Sequence, residues 1–158
     1  MSNIKCKVCK ISDLLKSDYA KESFVNLVQD QWLEVDHRRK TSTLDVDFDK
    51  YVQMEGLGVH YIVFAFSEGE LVGYCSMFSS PSPHTKELTA MTDSMFIKKG
   101  YRKLGLGTKL IKEAEVEAMK RGCRHIMVTF KNSSPHPNIV EDLGFFSYET
   151  IYAKAIGD

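Results

Sequence analysis

No stretch of this chain approaches the roughly 20 consecutive apolar residues that a membrane-spanning helix needs, and no apolar leader opens it. A cytoplasmic protein, with no membrane partner, is the expectation. Net charge is missing as well: 21 Lys and Arg balance 21 Asp and Glu. That argues against nucleic acid held on a broadly basic surface, while leaving room for a local basic patch. Cysteine is sparse, with four residues, and only Cys6 and Cys9 lie close together. A single C-x-x-C with no second pair is a poor zinc signature. The alternation in "IKCKVCKI" reads instead as a strand with half-buried thiols, and no metal is expected. Proline is confined to "SSPSPHTKE" and "NSSPHPN", both read as loops. Repeats, low-complexity tracts and linkers are absent, so residues 1–158 are expected to form a single domain.

What is present alternates between strand and helix patterns. Residues 4–11 read as a strand. Residues 17–37 read as a helix with Phe24, Leu27, Val28, Gln31 and Trp32 at helical spacing. The acidic segment "LDVDFDKYVQMEG" holds a second short helix. "VHYIVFAF" and "LVGYCSMF" flank a Gly-containing turn, which predicts a hairpin. "LTAMTDSMFI" follows as a central strand. Residues 105–121 then form a helix with Leu106, Leu110, Ala114 and Ala118 on one stripe and Gly122 just past its end. "RHIMVTF" is the next strand. Pro137 opens a short helix ending at Gly144. "FFSYETIYAKAI" reads as a final strand or strand pair. The order β-α-α-β-β-β-α-β-α-β predicts a mixed α/β (α+β) fold with a partly antiparallel sheet. The strand–helix–strand unit at 90–130 is expected to be parallel.

The segment "YRKLGLGTKLIKEAE" suggests an anion site. A glycine turn that opens a helix offers unpaired N–H groups and the positive end of the helix dipole. From Ser94 to Lys112 the chain carries Lys98, Lys99, Arg102, Lys103, Lys109 and Lys112 and no acid. Two familiar nucleotide patterns fail here. Leu106 stands where a Walker A turn requires lysine. Leu110 stands where a dinucleotide turn requires a small residue.

A third pattern, R-x-x-G-x-G, is met by Arg102, Gly105 and Gly107. Together with the apolar strand ending at Ile97, the Leu143–Gly144–Phe145 triplet and the element order over nearly the whole chain, it resembles the GNAT superfamily of acyl-CoA-dependent N-acyltransferases. The resemblance implies that acetyl-CoA is the acyl donor. Its pyrophosphate would lie on Arg102, Lys103, Leu104, Gly105, Leu106, Gly107 and Thr108. Its pantetheine arm would pair with the strand ending at Ile97. A backbone N–H near Phe96 or Ile97 would stabilise the oxyanion. An amine acceptor also needs a general base, for which His84, Glu87 and Asp93 are the nearby candidates. His84 sits in a Pro-flanked loop, and Asp93 is an acid inside an apolar strand. The family's usual proton-donating tyrosine is replaced here by Val140. Tyr148, Tyr152, His136 or water remain as substitutes, with Tyr152 carried forward as the catalytic candidate.

The acceptor is less legible. The resemblance implies a small molecule or peptide amine met by the first helices and the hairpin. Asp45, Asp47, Asp49 and Glu55 in that region would suit a cationic one. Homodimers are common in the family, although nothing in the chain marks a dimer face. Two rival readings stand beside N-acetyltransfer. One is a catalytically degenerate CoA-binding protein of the same fold, suggested by Val140. The other is a nucleic-acid module using residues 98–112, for which Tyr101 alone would provide stacking.

Overall fold

The computed structural model describes residues 3–132 and 138–157, apart from the side chains of His37 and Arg39. Its centre is a five-stranded sheet in the order β1-β2-β3-β4-β5. The strands are β1 (Ile4–Cys9), β2 (His60–Ser67), β3 (Glu70–Pro81), β4 (Leu88–Ile97) and β5 (Cys123–Met127). The first four pair antiparallel, and β5 joins β4 in parallel. The helices are α1 (Ile11–Leu14), α2 (Asp18–Val35), α3 (Phe48–Gly56), α4 (Leu106–Lys120) and α5 (Ile139–Asp142). Short 3-10 turns cover His37–Lys40 and Lys99–Tyr101.

Strand alternation sorts β2 into two faces. Tyr61, Val63 and Ala65 pack with Leu106, Leu110, Ala114 and Ala118 of α4. Ile62 and Phe64 pack on the other side with Ile11, Phe24 and Leu27, together with Tyr74 and Phe96. Phe24 meets Phe64 and Tyr74 edge-on at 5.4 and 5.3 Å. Each such ring or aliphatic chain taken from water contributes about 1.5–3 kcal/mol. The mixed α/β class with helices on both faces therefore follows from the two stripes read in the sequence.

The helix ends have local causes. Ser17 caps α2 by accepting from the Ala20 N–H at 3.2 Å. At the end of α4, Gly122 takes φ +82° and donates to the Met119 carbonyl at 3.0 Å, the left-handed stop that glycine allows. Three expectations are corrected. The first strand stops at Cys9, because Ile11–Leu14 turn into a helix capped by Glu55. The fifth strand runs over Cys123–Met127 and not to Phe130. The final strand or strand pair over residues 145–156 does not form: among the described residues the segment pairs with no strand, and it is exposed beyond Phe145. Pro137, read as the opening of the last helix, lies outside the described residues.

Candidate active site

The site starts from an irregularity in β4. Ser94 pairs with Ser76 and Thr92 pairs with Met77, which leaves Asp93 as an extra residue in a β-bulge. A bulge bends its strand and re-aims a side chain. The β4–β5 ladder ends at Met91 and Met127, just before the bulge, while β4 continues to Ile97 with no β5 partner among the described residues. The strands thus form a fork. At its root Thr92 Oγ1 lies 2.9 Å from Thr129 Oγ1 and accepts from the Thr129 N–H at 2.8 Å.

The fork leaves an open edge on β4. Lys98 N–H bonds the Val72 carbonyl on β3 at 3.0 Å. Because these groups alternate along a strand, the N–H groups of Met95 and Ile97 face the open edge, whereas that of Phe96 faces β3. The Phe96 ring itself is core, with the Arg102 guanidinium 5.2 Å above it.

The turn after β4 brings the helix start to this edge. Lys103 and Gly105 both take the left-handed conformation, at φ +66° and +71°. Among the described residues, no backbone N–H from Lys103 through Thr108 donates to a chain acceptor; the first bond is Lys109 N–H to the Gly105 carbonyl at 3.1 Å. Gly105 caps α4 without a side chain, and a Cβ there would meet nothing within 4 Å. Gly107 has a different reason to be small. A Cβ there would come within 3.3 Å of Ile139 Cδ1 and 3.6 Å of Met95 Cε, so its absence lets α5 and β4 close on the helix start.

The basic stretch is partly neutralised. Arg102 Nε donates to the Ile97 carbonyl at 2.9 Å, and its guanidinium grips Glu34 at 2.7 and 3.0 Å. That bond holds the Glu34 carboxyl below the usual range. Lys98 pairs with Glu70 at 2.6 Å. The guanidinium thus braces the turn against β4 and α2. Lys99, Lys103, Lys109 and Lys112 stay exposed around the helix start.

On the α2–α3 face, Asp93 organises a chain of polar groups. Its Oδ2 accepts from Tyr51 Oη at 2.7 Å and from Ser76 Oγ at 3.0 Å. Ser76 Oγ lies 2.8 Å from Nε2 of buried His60. Since the serine proton goes to the carboxylate, His60 is the donor to Ser76, as the Nε2–H tautomer. Its Nδ1 is then a buried lone pair without a partner among the described residues. Burial lowers the His60 pKa despite the opposing charges of Asp93 and Glu55, so the ring is neutral. Burial, then the Asp93 charge, raises the Tyr51 phenol far above its ordinary range, so it remains a donor. Asp93 itself is exposed, and Oδ1 has no partner among the described residues. A groove of about 440 Å3 beside it is lined by Asp47, Lys50, Tyr51, Met54 and Phe78.

The other sequence candidates lie elsewhere. His84 is exposed in the β3–β4 turn, beyond Leu88. The strand from Leu88 to Asp93 alone spans about 17 Å, so the two are not brought together. Glu87 lies at the same end, 3.9 Å from His125. Tyr152 is 92% exposed and Tyr148 72%, both on the C-terminal tail. Val140 is half-buried on α5, and His136 lies outside the described residues. Of the four acids considered for the acceptor, Asp47 lines the groove while capping α3 through the Lys50 N–H at 2.9 Å. Glu55 is used by the Ile11 N–H and Ser12, and Asp45 and Asp49 are simply exposed. Sequence reasoning missed Tyr51, Ser76 and His60 altogether.

The bulged central strand thus forks from its parallel neighbour beside a helix start with free N–H groups. The family model of the Acetyltransferase (GNAT) family matches residues 21–145, and the chain belongs to that family. No curated protein matches the chain. Among solved structures, a transcriptional regulator from Bacillus halodurans C-125 is similar at TM-score 0.73 and 21% identity, with 96% of this chain and 99% of that one covered. An aminoglycoside acetyltransferase from an uncultured soil metagenomic sample, in complex with sisomicin, is similar at TM-score 0.71 and 12% identity, with coverage of 98% and 97%. A glucosamine-6-phosphate N-acetyltransferase from Arabidopsis thaliana is similar at TM-score 0.70 and 15% identity, covering 98% and 99%. At these identities the likeness is one of fold.

Proposed function

We propose that this protein is an N-acetyltransferase that moves the acetyl group of acetyl-CoA to the primary amine of a small molecule or peptide, in one ternary complex. The observation that carries the reading is the run of unpaired N–H groups from Lys103 to Thr108, set at the foot of the open β4 edge. Such a run suits a pyrophosphate. Acetyl-CoA, when bound, supplies a thioester whose carbonyl takes up the amine and whose sulfur departs as a thiolate. Lys103 to Thr108 hold the phosphates with the exposed lysines around them. The N–H groups of Met95 and Ile97 offer hydrogen bonds along the open edge, and one of that side stabilises the oxyanion. Asp93 takes the amine proton on its free Oδ1 while Tyr51 and Ser76 hold Oδ2. His84 and Tyr152 have no part in this scheme. The groove beside Tyr51 seats the acceptor, and Asp47 at its wall favours a cationic one.

Val140 in place of the family's usual tyrosine, with Tyr148 and Tyr152 exposed on the tail, favours a second reading, a CoA-binding protein without turnover. A thiolate leaves well enough unaided for the first reading to hold. The discriminating assay is release of coenzyme A thiol from acetyl-CoA across a panel of polyamines, aminoglycosides and lysine peptides. Amine-dependent release supports the transferase. Binding of acetyl-CoA without release for any amine supports the second reading.

A further inference from the structure

His60 is a polar side chain in an apolar cage. It is 1% exposed on β2, with the ring of Tyr51 at 4.9 Å and that of Phe78 at 5.3 Å. An apolar side chain would fill that cage without desolvating an imidazole whose Nδ1 finds no partner among the described residues. Packing alone therefore does not account for a histidine here. Its place in the sheet does. His60 pairs with Phe78 and Ile62 with Ser76, so His60 and Ser76 are diagonal neighbours on one face. The bulge then sets Asp93 beside Ser76, and the three side chains form a row across β2, β3 and β4. The row has one direction. Ser76 has a single proton to give. With Nδ1–H on the ring, that proton would go to Nε2 and leave a serine lone pair against the Asp93 carboxylate at 3.0 Å. With Nε2–H, every neighbouring pair in the row is a donor facing an acceptor.

We propose that His60 is a positioning residue: its Nε2–H turns the Ser76 hydroxyl toward Asp93 Oδ2, so that Ser76 and Tyr51 together hold the carboxylate and Oδ1 keeps one aim. The inference rests on the reading of Asp93 as the base. Ser76 stands on β3 and Tyr51 on α3, and donors from two elements fix a carboxylate where a single one would leave it a pivot. An oxygen with a fixed aim meets the amine proton without first losing rotational freedom. Hydrogen bonds in such a row also polarise one another, which strengthens the serine's hold. The row is a clamp and not a relay. Nε2 already carries a proton, so none passes from Asp93 through Ser76 to His60. Burial, the largest influence on the ring, keeps it neutral. The proton taken by Oδ1 leaves to solvent, to which Asp93 is exposed.

The test joins a spectrum to a kinetic cycle on the full chain. Nitrogen NMR of the imidazoles, with the His60 signals assigned by their loss in His60→Leu, should show the Nε2–H tautomer at neutral pH. An Nδ1–H ring overturns the proposal, because the Ser76 proton then points away from Asp93. Three-bond couplings of Asp93 should report one side-chain rotamer in the wild type and in His60→Gln, whose amide can donate to Ser76. They should average in His60→Leu and in Ser76→Ala. An Asp93 side chain left unmoved by His60→Leu also overturns the proposal. With an amine that supports release of coenzyme A thiol, His60→Leu and Ser76→Ala should each lower kcat about 10-fold. KM for acetyl-CoA should stay unchanged, and His60→Gln should recover most of the loss. The double variant should fall no further than Ser76→Ala, since His60 acts only through the serine. Losses that add mark a packing role and overturn the proposal. Failure of the reading beneath it looks different: Asp93→Asn then keeps full turnover beside an Nε2–H ring, the row has no base to position, and the proposal falls with it.

Discussion

Asp93 is the residue on which the proposed chemistry turns. Its two oxygens are differently committed: Oδ2 holds Tyr51 and Ser76, while Oδ1 has no partner among the described residues. Replacing it as Asp93→Asn keeps the shape and removes the base. Turnover should fall about 10²–10⁴-fold, the usual worth of positioned proton transfer, with acetyl-CoA affinity unchanged. Steady-state kinetics beside direct binding would show this split, and an equal loss of both would speak against the role. Tyr51→Phe is a milder change. It deletes one charge-assisted hydrogen bond, worth about 1.5–3 kcal/mol in general, and frees Oδ2 to rotate. The expectation is a drop in kcat with little change in KM for acetyl-CoA, read from the same assay. Asp93 was legible in the sequence because an acid inside an apolar strand needs a reason. Its partners were not, because Tyr51 lies 42 positions away and Ser76 17. They meet only through strand register and a bulge that leaves no local signature in "LTAMTDSMFI".

At the scale of elements, the turn from Lys103 to Thr108 shows what the pattern could and could not tell. The paired glycines announced a helix start, and α4 begins at Leu106 directly after Gly105. The pattern did not separate the reasons for the two glycines. Gly105 holds a left-handed cap, whereas Gly107 makes room for Ile139 and Met95. Gly105→Ala should therefore cost about 1–2 kcal/mol through its positive φ, visible as a lower denaturation midpoint, with weaker acetyl-CoA binding as the turn shifts. Gly107→Ala should act by crowding, and shortening Ile139 to Val in the same chain should recover part of the loss. Arg102 likewise read as a phosphate ligand in a basic run. Its partner Glu34 is 68 residues distant, so only the folded chain reveals the brace. The tail was read as a strand because period-two alternation is a strand signal. Alternation specifies a strand's faces but not the edge it will join.

At the scale of the whole molecule, two carboxylates held by arginines contribute to acid stability. Hydrogen bonds from Arg38 bring the buried Asp36 carboxyl down from 3.8 to about 2, and Arg102 lowers Glu34 in the same direction. A folded-state pKa below the unfolded value gives stability that is fully present above about pH 4 and is lost as pH falls toward 2. For Asp36 this is at most about 2 kcal/mol, and nearer 1 because Arg38 is largely exposed and solvent screens the pair. Arg38→Ala should thus flatten the fall in denaturation midpoint between pH 4 and 2 while lowering stability at neutral pH. An unchanged slope would remove Arg38 as the cause. On the proposed function, the β4–α4 turn binds coenzyme A. The measurement that tests it most directly is a thermal shift of the full chain with acetyl-CoA, beside ATP and NADH at equal concentration. A ligand that binds only the folded state raises the midpoint by mass action, by about 2.7 kcal/mol of stability at 100 times its dissociation constant. A rise with acetyl-CoA well above that with either nucleotide is the predicted result. No shift with acetyl-CoA, or an equal shift with all three, would contradict it.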